Sequence, residues 1–162
     1  MKTAFLALGS NVGDREANLR TAVTLLQDDE IRVRRGSSLY ETAPQELLDQ
    51  PSFLNAVLEV ETSLFPMQLL ARVREIERKM GRRRVTPKGP RNIDIDILFY
   101  GRNVIATAEL EVPHPRIAQR RFVLEPLAEI APDFRHHLTG KTAREMLAKL
   151  EPQGVRRLEA RL

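Results

Sequence analysis

The 162-residue chain contains no cysteine. Disulfides, thiolate catalysis and cysteine-ligated metal centres are therefore excluded. Aromatic residues are scarce, six Phe and two Tyr, and they form no run of the kind that stacks RNA bases on a central strand. No stretch approaches the roughly eighteen consecutive apolar residues of a membrane-spanning helix. The N-terminal "MKTAFLALGSNVG" carries one Lys and an apolar run too short for a signal-peptide core, so it reads as a first strand ending in a Gly-Ser-Asn turn. The phosphate loops G-x-x-x-x-G-K-[ST] and G-x-G-x-x-G are both missing, as is the G-x-S-x-G nucleophile elbow. Internal repeats, linkers and low-complexity tracts are absent too. What remains is the expectation of one globular domain, residues 1–162, cytoplasmic and monomeric, long enough to bury a single core.

What the chain does have is clustered charge. Its net charge is only +4, from 26 basic and 22 acidic residues. Yet "RKMGRRRVTPKGPR", 78–91, holds seven Lys or Arg and no acid, which points to an anionic partner. The acids follow at once in "NIDIDILFY", 92–100. There Ile93, Ile95, Ile97 and Phe99 alternate as on a half-buried strand, which predicts that they share one face and that Asp94 and Asp96 share the other. Carboxylates on Cα atoms roughly 7 Å apart repel each other unless a cation lies between them. Mg²⁺ favours carboxylate oxygens and shares its remaining ligands with water and substrate phosphates. Two such ions about 4 Å apart clamp the attacking and leaving oxygens of a phosphoryl transfer. Arginine forks then hold polyphosphate oxygens in bidentate fashion. The dipeptide alone reads equally well as a solvated strand face, and the flanking arginines favour the metal–phosphate reading. A metal-dependent phosphodiesterase or nuclease, and an RNA-binding ferredoxin-like module, stay open at this point.

Hydrophobic periodicity places the motifs. Residues 3–8 read as a buried strand, 14–28 as an amphipathic helix on Leu19, Ala22, Val23 and Leu26, and 31–40 as a second strand. Residues 42–51, with two prolines, read as a loop. Residues 53–62 alternate, with Leu54, Ala56, Leu58 and Val60 on one face and Phe53, Asn55 and Val57 on the other. A helix opening at Pro66 buries Leu69, Val73, Ile76 and Met80 and leads to the acidic strand. "KTAREMLAKL", 141–150, predicts a last helix. The order β-α-β-β-α-β predicts an α+β, ferredoxin-like core: a mainly antiparallel sheet, helices on one face, the other open to a ligand, and a C-terminal α/β extension.

"GPRNIDIDILFYG" resembles the signature of the 6-hydroxymethyl-7,8-dihydropterin pyrophosphokinases of folate biosynthesis. "ALGSNVGDREANL", "YETAP", "DQPSFLNAV" and "VPHPRIAQRRFVLEPLAEIAP" are similar to further segments of that family, in the family's order, over about residues 4–132. The resemblance implies an ATP-dependent pyrophosphokinase that transfers pyrophosphate to the hydroxymethyl group of the reduced pterin and releases AMP. Its partners are then ATP and the pterin, with no nucleic acid and no membrane. Carried over by motif position, Asp94 and Asp96 hold two Mg²⁺, and Arg82 and Arg91 join them as catalytic residues. Glu77, Arg82, Arg84, Arg91, His114 and Arg120 line the nucleotide side, and Thr42, Pro44, Phe53, Asn55 and Phe122 the pterin side. Lys88, Pro115 and Phe53 depart from the family's usual residues.

Overall fold

The computed structural model describes residues 1–43, 51–81 and 91–162. Its centre is an antiparallel sheet in the order β5 (Asp94–Tyr100), β1 (Lys2–Ser10), β4 (Phe53–Thr62), β3 (Ser38–Thr42), β8 (Val155–Arg161). β2 (Ile31–Gly36) also pairs with β4, beside β3. Two helices, α1 (Arg15–Leu26) and α2 (Pro66–Lys79), cross one face. Asp14 caps α1 by accepting the Ala17 amide at 3.1 Å, and Pro66 opens α2 where no amide donor is required. Between helices and sheet, Leu19, Leu26, Leu69, Val73, Leu58, Ile93 and Ile95 are buried in one cluster. Each contributes about 1.5–3 kcal/mol by leaving water. This is the ferredoxin-like core that the alternation predicts.

Two expectations are corrected. The single strand over 31–40 is divided at Ser37. Gly36 faces Leu58 but Tyr40 faces Asn55, so the passage from β2 to β3 carries one residue more than β4 opposite it, in addition to the extra residue between Val33 and Arg35 within β2. Ser37 fills the break: its amide donates to Val57 O at 3.0 Å and its hydroxyl accepts the Val57 amide at 2.9 Å. Phe99 does not share a face with Ile97. Phe5 faces Phe99 while Leu6 faces Ile97, so Leu98 is the extra residue of a bulge. The bulge sends Phe99 to the opposite side, where it packs against Phe134 with ring centroids 4.7 Å apart.

The C-terminal extension occupies much of that opposite side. After the short ribbon β6 (Ile105–Ala106) and β7 (Glu111–Val112) come α3 (Arg121–Ile130) and α4 (Ala143–Ala148). Leu124, Leu127, Ile130 and Met146 bury against Phe5, Val57, Leu98 and Phe99. β8 then returns to pair with β3. The end of the sheet that carries Asn55, Gly9, Asp94 and Asp96 opens instead into a cleft.

Candidate active site

The register of three strands builds the floor. Asp94 of β5 faces Gly9 of β1, which faces Asn55 of β4, which faces Tyr40 of β3. Directly paired residues share a face, so one row carries a carboxylate, a bare backbone and an amide. Glycine in the middle leaves the amide in place, because a Cβ at Gly9 would stand 2.9 Å from Asn55 Oδ1 and push it aside. Asp96 sits one row on, opposite Ala7. The row is the base of a cleft of about 440 Å³.

On the β3–β4 side, Asn55 and Thr42 are buried and Asn55 Nδ2 donates to Thr42 Oγ1 at 2.6 Å. Phe53 lies beside them, and Phe122 and Val123 at the start of α3 line the cleft with them. Each ring carries a guanidinium: Arg91 Cζ is 5.6 Å from the Phe53 centroid, and Arg120 Cζ is 5.5 Å from that of Phe122.

On the β5 side, Arg91 Nη1 donates to Asp94 Oδ2 at 3.0 Å. Arg74 reaches in from α2 and is held from behind by Glu77 Oε1 at 2.8 Å. Asp96 is half-buried. Burial and the neighbouring Asp94 charge push its carboxyl up to about 7, against the pull of Arg74 and Arg120. A cation at this spot would reverse that penalty. His114 goes the other way. Burial and the charges of Arg120 and Arg116 lower its imidazole to about 4. Its Nδ1 accepts the Arg116 amide at 3.2 Å, so the neutral ring carries its proton on Nε2 and serves as a donor. A second hollow, about 220 Å³, shares Arg74, Asp96, His114 and Pro115 and continues past Ile97 to residues 107–111.

Nine of the residues singled out in the sequence therefore meet in one cleft: Asp94, Asp96, Arg91, His114, Arg120, Thr42, Phe53, Asn55 and Phe122. Glu77 does not line it. Its side chain is turned under β5, where Oε2 accepts the Ile95 amide at 2.9 Å, so Glu77 holds the strand and Arg74. Arg82, Arg84 and Pro44 lie outside the described residues. Arg74 and Arg116 line the cleft and were missed. The signal for Arg74 was faint, an i,i+3 pair with Glu77 on a helix with several other bases.

A family model described as 7,8-dihydro-6-hydroxymethylpterin-pyrophosphokinase (HPPK) matches residues 5–132. The chain is similar to the Bacillus subtilis 2-amino-4-hydroxy-6-hydroxymethyldihydropteridine pyrophosphokinase, 46% identical over 154 residues, covering 94% of this chain and 88% of that protein. It is 41% identical over 155 residues to the Pneumocystis carinii folic acid synthesis protein fol1, covering 96% of this chain and 21% of that protein. The chain thus spans about a fifth of the length of the fol1 relatives that it matches. In fold it is similar to the Plasmodium falciparum HPPK-DHPS solved with STZ-DHP, with a TM-score of 0.73, 19% identity, and coverage of 91% of this chain and 43% of that one. No described helix is long and apolar enough to cross a membrane.

Proposed function

The chain belongs to the 7,8-dihydro-6-hydroxymethylpterin-pyrophosphokinase family, and from that premise we propose that it transfers pyrophosphate from ATP to the hydroxymethyl group of 6-hydroxymethyl-7,8-dihydropterin, releasing AMP. The observation that carries this reading is the single row Asn55–Gly9–Asp94, which sets an amide-lined slot beside a carboxylate pair with no side chain between them. The slot on the Thr42–Asn55 side suits a flat ring with donors and acceptors on its edge, and Phe53 and Phe122 offer π faces to it. The nucleotide lies along Arg74, His114 and Arg120 and into the hollow beyond Ile97, where residues 107–111 suit its base.

Asp94 and Asp96 fit magnesium. They supply hard oxygen donors on one strand face, half-buried, and Asp96 resists ionisation there without a cation. On this reading they hold two ions, which when bound neutralise the triphosphate and polarise the acceptor hydroxyl. The chain's own groups do the rest. Arg91, Arg74 and Arg120 fix phosphate oxygens, and the neutral His114 donates from Nε2 without adding charge. The acceptor hydroxyl gives up its proton to solvent and its oxygen forms a bond to the β-phosphorus as the bridge to the α-phosphate breaks, and AMP leaves. Such a transfer needs little covalent help, so positioning and charge supply most of the acceleration. The reading takes residues 1–162 as one catalytic unit acting as a monomer on two small molecules, without nucleic acid.

Incubation of the protein with ATP, Mg²⁺ and the reduced pterin, followed by chromatography and ³¹P NMR, tests this. AMP and a pyrophosphorylated pterin should appear in equal amounts. ADP and a monophosphorylated product, or no pterin-dependent nucleotide turnover, would overturn the proposal.

A further inference from the structure

We infer that Glu129 is a positioning residue for the Thr42–Asn55–Phe122 half of the cleft, because its buried carboxylate ties β3 to α3 and so sets the width of that slot. The inference rests on the reading of that half as the pterin pocket. α3 carries both ends of the argument: Phe122 in its first turn lines the cleft, and Glu129, seven residues later, lies two turns along the same side of the helix.

The Glu129 side chain is only 8% exposed. It accepts the Ser38 amide at 3.0 and 3.2 Å, the Ser38 hydroxyl at 2.8 Å and the Tyr40 hydroxyl at 2.8 Å. Tyr40 is the residue of β3 that faces Asn55, and it precedes by two Thr42, which accepts the Asn55 amide. The carboxylate thus grips β3 one residue pair away from the slot. Arg157 and Arg161 of β8 close on it from outside at 3.1 and 3.7 Å. β8 lies beyond residues 5–132 that the family model covers, so part of this clamp comes from the C-terminal extension.

A buried ion pair is weak evidence for stability, since desolvation offsets most of its Coulomb gain. Here burial alone would push the Glu129 carboxyl up, but the Ser38 and Tyr40 hydrogen bonds and the Arg157 charge outweigh it and hold the group below its ordinary range. Burial, together with the Glu129 bond and charge, pushes the Tyr40 phenol well up, so it stays a donor at every working pH. Glu129 is therefore ionised and Tyr40 protonated throughout the neutral range. What the clamp controls is distance. A flat ring gripped between Phe122 and the Asn55–Thr42 wall loses contact on one side if α3 drifts outward, whereas Arg74 and Asp96 stand on α2 and on β5, which β1 and β4 separate from β3.

The test separates two affinities. The reduced pterin is titrated calorimetrically into protein saturated with Mg²⁺ and α,β-methylene-ATP, and the analogue alone is titrated in parallel. Glu129→Gln places an amide donor against the Ser38 and Tyr40 donors and should weaken pterin binding about tenfold, while analogue binding stays within about twofold. Tyr40→Phe removes one of the bonds and should weaken pterin about threefold without lowering analogue affinity. It carries the decision if Glu129→Gln does not fold. Unchanged pterin affinity in the folded variants, or equal losses of both ligands tracking a fall in melting temperature, would overturn the assignment. Failure of the wild-type protein to bind the pterin would instead sink the reading of the pocket, and the inference with it.

Discussion

Ile95 and Asp96 are neighbours on β5, yet they live in opposite media. Ile95 is fully buried between the sheet and α1–α2, in the main hydrophobic cluster, and its amide is satisfied by the buried Glu77 carboxylate. Asp96 looks into a cleft where a carboxylate pair, several arginines and a neutral imidazole are held together. On the first face the sequence pattern and the local energetics agree, and burial is favourable residue by residue. On the second they conflict: two like charges are placed side by side and one of them resists ionisation. A fold tolerates such a conflict where a ligand resolves it. The pleat is what keeps both on one strand, because a shift of one residue would exchange the two faces.

The largest effect expected belongs to the acidic face. Asp94→Ala or Asp96→Ala should cut AMP formation by about a thousandfold or more, and Asp96→Ala should leave the melting temperature of the metal-free protein level or higher, whereas Asp94→Ala also strips Arg91 of its ion-pair partner and should lower it. Near wild-type turnover in both variants would break the comparison. The opposite face should behave in the opposite sense. Ile95→Ala should cost about 2–5 kcal/mol of stability, read by denaturant unfolding, and leave turnover per folded molecule within about threefold.

Smaller effects refine the picture. Arg91→Lys keeps the charge beside Asp94 but loses the planar fork and the broad contact with Phe53, so kcat/KM should fall about tenfold. An unchanged value would mean that charge alone suffices there. The smallest effect is in stability against pH. The Asp96 carboxyl ionises near 7 in the fold and near 3.8 when the chain is unfolded in water, so the folded form binds the extra proton between those values. Its contribution is complete below about pH 4 and is lost as pH rises through 7. Asp96→Asn has no such loss. The melting temperature of the metal-free variant should therefore gain on the wild type between pH 4 and 8, and Mg²⁺ with ATP should narrow the gap. A gap independent of pH would remove the burial argument.

The strengths of the sequence reading lie where packing is repetitive. β1, β4, α1 and α2 stand within a few residues of where alternation and helical spacing place them, since each buries one continuous apolar stripe. β8 was not foreseen as a strand, although Leu158, Ala160 and Leu162 do alternate; its seven residues carry three arginines and are recognisable as a strand only once β3 offers an edge. The break at Ser37 and the bulge at Leu98 were invisible for a related reason. An extra residue on one strand is defined only by the partner opposite it, and the partner is remote in sequence.

In the cleft the division is similar. Asp94, Asp96 and Arg91 were legible as a candidate metal–phosphate site because paired acids on one strand face call for a cation and the basic run beside them favours an anion, and the remaining site residues came from resemblance of motifs. Arg74, Arg116 and the clamp at Glu129 were not legible, since each depends on which element lies across from it. By itself the sequence determined what short-range periodicity can encode: the elements, the apolar face of each strand, the absence of thiol chemistry and the pairing of two carboxylates with a basic loop. Only the tertiary structure decided that Gly9 would stand bare between Asn55 and Asp94, that Glu77 would turn inward while Arg74 reached the cleft, and that α3 would close one side of the slot. Those outcomes depend on register and on contacts between residues far apart in the chain, whose energies exist only after the backbone has brought them together.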